Sequence, residues 1–581
     1  MTTQPDAVDL PQSSEAAQTA AEKAAGIERR NRHLARSTLI VMIAFGVSKG
    51  ISLVQTVIIA SVFGVGSEWD AFVTANRIPE LIFTLIAGGA LAHAFIPIFS
   101  SYLAREDYNG AWRTASHVIN FIFTVTATVN IFVFFTAPWW VANVAAPGFD
   151  SAGQAQTVEL MRILLLSTMI FSVSGIVMGI LQSHNHFLLP ALAPIMFDVG
   201  ILFGVIFLLG PFGVHGLALG AVLGAGLHLG IQVPGLIRFR ARWTPELGIR
   251  NPVLWRIIRL MLPRVAGLGV FSINFLIMNN IASRLGTGSV SALDWGWRLM
   301  QIPQTLVGTA MGTVIFPTMA ALSELGDVDG KRNAMSGALR FIMIASIPAT
   351  VGLIFVGRPL ISLLERGAFD ASASALVYST LQFFALGLIV HSALEVIARS
   401  FYADKDTLTP LYAAIGGATI NLVGSIVFSN VLAAEQFLVQ SYMLRPFDIP
   451  LILDPVQAAG NVSGLALANS LGVMFEVGFL LVILRRRWAG INENALARTV
   501  AKTLAASLVM AVVIVVINGV WHALGLSERG LMFTIIQVIV ETGAGLLTFV
   551  IVAIALRMEE LGMLLNMLLR RKRVDPSALP T

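Results

Sequence analysis

Apolar runs separated by short polar connections repeat along almost the whole chain. They fall at residues 37–64, 72–103, 115–137, 158–182, 187–210, 215–237, 261–285, 291–322, 339–356, 376–401, 410–432, 461–484, 499–524 and 530–556. Each is close to or above the roughly 20 residues that carry a helix across about 30 Å of hydrocarbon. The pattern therefore predicts an all-α polytopic membrane protein with fourteen transmembrane helices. Residues 1–36 carry no early apolar run, so no cleavable signal peptide is expected there, only a disordered tail.

Polar and helix-bending residues interrupt some of these runs. Asp70 stands just before the second, which holds Arg77, then Pro79, Gly88, Gly89 and Pro97. Charges and breaks at membrane depth are costly, and their default reading is a binding site or a moving part. The same order returns later as Gly286, Asp294, Arg298, Pro303 and Pro317, with Arg298 standing 221 positions after Arg77. Residues 181–186 before Pro190 match residues 400–405 before Pro410, the prolines standing 220 apart, and Gly216-Leu-Ala-Leu recurs at Gly464 after 248. The growing offset locates an insertion of 28 residues at about 433–460. Two halves that keep the same breaks are the sequence sign of a transporter built from paired repeats around a midplane site. Pro79, Gly88, Gly89, Pro97, Pro303 and Pro317 are its expected hinges.

Composition agrees with the pattern, since 56% of residues are hydrophobic and only 12% charged, with a mean hydropathy of +0.79. Alternate connections collect the basic residues, among them Arg29, Arg30, Arg105, Arg113, Arg238, Arg240, Arg242, Lys331, Lys405, Arg485 to Arg487 and Arg570 to Arg573. By the positive-inside rule these connections and both termini are cytoplasmic. The net charge of +5 then reflects basic loops meeting anionic lipid headgroups, and no nucleic-acid-binding signature is present. There is no cysteine, no phosphate-binding Gly loop, no metal-ligand cluster and no nucleophile elbow, so neither cofactor nor bond-making chemistry is expected.

Lys49 sits mid-run between Gly46 and Gly50. With Arg77 and Arg298 it forms a basic set suited to phosphate oxygens, while the bland alternative is that Lys49 snorkels or pairs with Asp70. Among the membrane acids Asp198, Glu395, Glu476 and Glu541, Glu395 is expected to pair with Arg399 four residues on, and Asp198 is the first choice for proton coupling. His93 and His391 read as packed and hydrogen-bonded. Asn421, Ser425 and Asn469 offer neutral oxygens to a monovalent cation, with helix-to-helix hydrogen bonding the blander reading. Residues 358–370 read as an amphipathic helix lying on the outer membrane surface.

Several of these segments resemble one known family. They are Asp70-Ala-Phe with Pro79, Gly89-Ala-Leu-Ala-His-Ala-Phe-Ile-Pro97, Ile180-Leu-Gln-Ser-His-Asn-His-Phe with Ala193-Pro194, Trp297-Arg-Leu-Met-Gln-Ile-Pro303, Glu365-Arg-Gly-Ala-Phe369 and Ala398-Arg-Ser-Phe-Tyr-Ala-Asp-Lys-Asp-Thr-Leu-Thr-Pro410. Together they are similar to the MurJ (MviN) lipid II flippases of the multidrug/oligosaccharidyl-lipid/polysaccharide exporter superfamily, over roughly residues 34–556.

The resemblance implies two six-helix lobes, at 37–237 and 261–484, joined by a cytoplasmic linker at 238–260. Two further helices within 499–556 would line a groove for a polyprenyl tail, and 557–581 would form a basic cytoplasmic tail. A cationic central cavity would hold the pyrophosphate, with Lys49 and Arg298 at the family's basic positions and Asp70 at its acid. The chain departs from the family where arginines fall on Gln55 and Phe83, an acid on Gln301, and a cation-binding acid on Ser425. The substrate-binding set expected is thus Lys49, Gln55, Asp70, Arg77, Arg298 and Gln301.

The function expected is translocation of a polyprenyl-pyrophosphate-linked precursor, lipid II, across the bacterial cytoplasmic membrane by alternating access coupled to the membrane potential. The alternatives are flipping of another polyprenyl-linked oligosaccharide, cation-coupled drug export, and a non-transporting scaffold that binds the lipid carrier and recruits cell-wall synthases.

Overall fold

The computed structural model describes residues 50–86, 90–429, 462–526 and 529–558, and all regular structure among them is helical. Twelve of these helices are long and apolar enough to cross a membrane. The other two expected spans are described only in part, as Gly50–Phe63 and as Ser67–Ile86 followed by Ala90–Ala104, so the count of fourteen stands at twelve among the described residues. The tails at 1–36 and 559–581 and the insertion at 433–460 lie outside them.

Helix starts show why the two halves fold alike. Asp107 accepts from Gly110 N at 2.8 Å and Asp327 from Gly330 N at 2.8 Å. Asp150 and Asp370 cap the next helix of each half in the same way, on Gly153 N and Ala373 N, both at 2.8 Å. Each is an N-cap carboxylate satisfying an orphan amide, a contact worth about 1 kcal/mol. The members of each pair stand 220 positions apart in the sequence.

Close packing repeats as well. A Cβ on Gly216 would lie 2.4 Å from the carbonyl oxygen of Leu208, and one on Gly464 would lie 2.2 Å from that of Phe428. The recurring Gly-Leu-Ala-Leu motif thus serves one purpose in both halves, letting a helix start press on a backbone carbonyl of the helix before it among the described residues. Small residues at such crossings are what membrane helices use where lipid supplies no hydrophobic drive.

The apolar core shows how the halves are joined. At one end a single cluster runs across both, from Ile59, Trp69 and Met161 to Trp295, Phe369 and Phe384. At the other end it divides. Phe95, Phe99, Trp112 and Ile180 form one core of the first half, while Met335, Ile342, Phe401 and Trp488 form one of the second. The divided end carries Arg113, Arg238, Lys331, Lys405 and Arg485 to Arg487 and is called the basic end below; the joined end is called the seal.

The helix Pro252–Ser283 crosses between the halves. It begins nine residues before the expected span, capped by Asn251, whose Oδ1 accepts from Val253 N at 2.9 Å. Its first turns put Leu254, Ile257 and Met261 into the first half's basic-end core, although the sequence divided the lobes ahead of it. The preceding strap is tied to the helix Tyr108–Trp140 by Asn120 Nδ2 on Thr244 O at 2.7 Å and by Glu246 on His117 at 3.1 Å. That contact, with Arg113 beside it, holds the Glu246 carboxyl below its ordinary range.

The helices Glu493–Ala523 and Leu531–Ala555 pack on each other and, through Met510 and Ile514, against Ile344 of the helix Val328–Phe355. Residues 358–370 differ from expectation. Only Gly357–Ser362 is helical, and Ile361, Leu364 and Phe369 are buried in the shared core instead of facing lipid. The apolar spacing there reports contact between the halves, a demand that looks the same in sequence as contact with a membrane surface.

Candidate functional site

At the seal the helix Ser289–Gln304 lacks a cap from its own chain neighbours. Its N-cap is Gly288, at φ +87°, a left-handed conformation that glycine adopts without strain. The missing acceptor comes from the first half: Asp70 takes Gly288 N at 2.6 Å, Ser291 N at 2.7 Å and Ser291 Oγ at 2.6 Å. An N-terminal carboxylate also suits the positive end of the helix dipole. Asp70 and Ser291 stand 221 positions apart, the repeat offset itself, so equivalent positions of the two halves meet. Asp70 is buried and all of these contacts are internal. It was counted with the substrate ligands from sequence; the structure places it in the seal instead.

Other contacts complete the closure. Trp69 and Trp295 stack with centroids 5.2 Å apart, and Trp295 donates to the carbonyl of Gly64 at 3.2 Å. Ala368 N donates to Ser61 O at 2.9 Å, and in reciprocal fashion Gly148 N donates to Ser283 Oγ at 3.2 Å. Each half thus lays one connecting loop on the end of the other half's first helix.

One to two turns deeper lie the basic residues. Arg298 Nε donates to Asp294 Oδ2 at 2.6 Å, and its guanidinium carbon sits 5.8 Å and 5.9 Å from the rings of Trp69 and Trp295. Its side chain is nevertheless 48% exposed. Arg77 reaches across from the first half to Asp294 Oδ1 at 3.6 Å, meets Glu80 at 3.6 Å, and donates to Asn279 Oδ1 at 3.5 Å. Sequence reasoning joined the two arginines and named Asp294 in the repeat without pairing it to them, and it overlooked Glu80 and Asn279. The signals were legible, since Asp294 lies four residues before Arg298 and Glu80 three after Arg77, the spacings of facing helical neighbours. These two arginines are therefore not an uncompensated cationic cluster; each has an acid at hand.

The remaining expected residues are scattered. Lys49, Gly88 and Gly89 lie outside the described residues. Gln55 is half-buried on the helix Gly50–Phe63, and Gln301 is exposed one turn after Arg298. Pro79 is buried within an unbroken helix, whereas Pro97 and Pro317 are exposed inside Ala90–Ala104 and Ala310–Glu324. Pro303 lies two residues before a π-helical turn at Thr305–Thr309, where Arg399 Nη1 reaches the Thr309 carbonyl at 3.4 Å. Arg399 also pairs with Glu395 at 3.0 Å, as the spacing predicts.

Asn421, Ser425 and Asn469 do come near one another, but not as cation ligands. Ser425 Oγ donates to Asn421 Oδ1 at 3.0 Å, and His391 bonds Asn469 Oδ1 at 3.0 Å. The amide NH₂ groups of the two asparagines both approach Met278 Sδ, at 3.2 Å and 3.8 Å, and that of Asn421 also donates to Asn274 Oδ1 at 2.9 Å. Donor hydrogens face inward where a cation needs lone pairs. His391 also lies edge-on to Trp297, packed and bonded as expected of a lone helical histidine.

Paired halves, a shared seal and spanning helices define a polytopic membrane protein of the transporter kind. The family model described as lipid II flippase MurJ matches residues 59–442 and 453–535, and the chain belongs to the MurJ family. A probable lipid II flippase MurJ of Rhizobium tropici is 30% identical over 485 residues, covering 80% of this chain and 84% of that protein. The lipid II flippase MurJ of Burkholderia cenocepacia is 29% identical over 395 residues, covering 66% and 75%. In fold the chain is similar to a solved lipid II flippase MurJ in an inward closed conformation, with TM-score 0.70 and 23% identity over 89% of this chain and 99% of that one. An inward-facing MATE multidrug transporter of the MOP superfamily gives TM-score 0.62 and 17% identity over 76% and 96%. The ten residues the family model passes over, 443–452, fall within the expected insertion.

Proposed function

We propose that this protein flips lipid II from the cytoplasmic to the outer leaflet of the bacterial inner membrane by alternating access. The observation that carries the reading is Arg298, a guanidinium half-open to the surroundings directly beneath the seal and stacked near two tryptophans. Guanidinium forks bind phosphate oxygens bidentately, and a charge at this depth is expensive unless it meets a ligand. Family membership supplies the substrate class. The basic end faces the cytoplasm, by the positive-inside rule, and both termini lie there. The divided core then describes a state open toward the cytoplasm, in which the pyrophosphate enters between the halves and the polyprenyl tail stays beside the helices Glu493–Ala523 and Leu531–Ala555. No bond is broken in this reaction.

The test is replacement of the resident lipid II flippase by this chain in a conditional depletion strain. Growth and normal wall synthesis on depletion are the expected result. Failure to rescue at normal abundance, together with efflux of cationic drugs, would favour drug export instead.

A further inference from the structure

Asp294 forms ion pairs with both arginines. Its Oδ2 accepts from Arg298 Nε at 2.6 Å and its Oδ1 faces Arg77 NH2 at 3.6 Å, with the side chain only 7% exposed. Arg298 and Asp294 share a helix, but Arg77 belongs to the other half, so this carboxylate also ties the halves together. Two oxygens bridging two guanidinium groups are what a phosphate would present at the same place. The same helix carries, within its first two turns, Ser291 bound to Asp70 and Trp295 bound to Gly64.

We infer that Asp294 is a built-in stand-in for the substrate's pyrophosphate, and that displacing it is what loosens the seal. This rests on the reading of a pyrophosphate-bearing substrate but not on which headgroup that substrate carries. A phosphate arriving on Arg298 takes Asp294's partner and sets a like charge against the carboxylate. Asp294 must then leave Arg77, and since it is fixed to a helix, the turn bearing Ser291 and Trp295 moves with it. Arg77 is not stranded, because Glu80 of its own half remains 3.6 Å away. Loading from the cytoplasmic side thereby removes a contact between the halves, the direction a flippase requires. By linkage the coupling is reciprocal: a closed seal lowers the affinity for the anion. Asp294 is a positioning residue here, acting through the two arginines.

The chain has no cysteine, so introduced cysteines are unique labelling sites. Ala152 and Ala371 are exposed at the seal end, one on each half. Spin labels at Ala152→Cys and Ala371→Cys in the full chain, reconstituted in lipid nanodiscs, report the distance across the seal by pulsed electron resonance. The probes are a polyprenyl pyrophosphate, which has no sugar-peptide headgroup, and the same polyprenol without phosphate. Wild type is expected to lengthen the distance with the pyrophosphate alone. Asp294→Asn should bind the pyrophosphate about tenfold more tightly, with a distance that no longer depends on it, and Arg77→Gln should likewise bind without responding. Asp294→Glu should restore the response. An Asp294→Asn distance that is merely longer yet still pyrophosphate-dependent would assign the residue a structural role only and overturn the inference. So would a wild type that flips lipid II but does not respond to the pyrophosphate. A wild type that responds while failing to flip lipid II would remove the substrate assignment and leave the inference standing.

Discussion

Arg298 is held by one acid and two aromatic faces, and Arg77 of the other half meets the same acid at 3.6 Å. Arg298→Ala is expected to abolish rescue in the depletion strain at unchanged protein abundance, because a pyrophosphate loses a charge-assisted donor. Arg298→Lys should rescue in part, since an ammonium keeps the charge but not the planar fork. Normal growth of the alanine variant would take Arg298 out of the mechanism. Asp70 makes a different demand. Asp70→Asn keeps the shape but gives up the charge at a helix N-terminus, a loss of about 1 to 2 kcal/mol, or roughly tenfold in the ratio of closed to open seal. Labelling of a cysteine placed at Val290, buried in the shared core beside the cap, by an impermeant reagent from outside should accelerate accordingly. At this scale the arginines and Asp70 were legible because charge in an apolar run is conspicuous. Their partners were not: a carboxylate reads as a ligand or as a cap with equal ease until the chain that approaches it is known. The repeat offset was the available clue, because Asp70 and Ser291 differ by it.

Among the elements, the Gly-Leu-Ala-Leu segments give the sharpest expectation. A methyl group on Gly216 or Gly464 would stand 2.4 Å or 2.2 Å from a backbone carbonyl oxygen, which cannot swing aside as a side chain can. Gly216→Ala and Gly464→Ala should therefore each lower stability by about 1 to 3 kcal/mol, the usual result of overpacking. Thermal unfolding in detergent checks this, and similar losses at both sites are expected, since the two serve equivalent crossings. Unchanged melting in either variant would count against the repeat packing. Helix positions were largely legible from apolar periodicity; the caps went unread, although their Asp-x-x-Gly pattern at Asp107, Asp150 and Asp327 carries its own mechanism. The stretch 358–370 was misread because burial between two halves and burial in a headgroup layer select the same alternation of leucine with charge. The crossing helix was placed late for a related reason. Its first turns, from Pro252, carry Arg256 and Arg259 among apolar residues, and such turns read as linker until Leu254 and Ile257 are seen inside a core.

At the scale of the whole molecule, a core shared at one end and divided at the other means that opening one side and closing the other must exchange buried surface between them. Such an exchange needs a driving term, and the residues near the seal suggest which. Asn421 and Asn469 accept hydrogen bonds on their side-chain oxygens and turn amide hydrogens toward Met278, and Ser425 offers only a neutral hydroxyl, so a Na⁺ ion would find no anionic ligand to offset its dehydration. Arg298, in contrast, is carried by a helix that must move when the halves rock, and one elementary charge moved through the field is worth about 2.3 kcal/mol per 100 mV. Flipping in reconstituted vesicles should therefore respond to an imposed membrane potential and be indifferent to replacing Na⁺ by choline. A headgroup-accessibility assay at fixed potential decides the matter. Activity that rises only with a Na⁺ gradient would show that a carboxylate outside this cluster completes an ion site, and would sink the potential-driven scheme. Loss of the voltage response in Arg298→Gln, with pyrophosphate binding measured alongside, would place the moving charge on Arg298, because binding and charge displacement are then read separately.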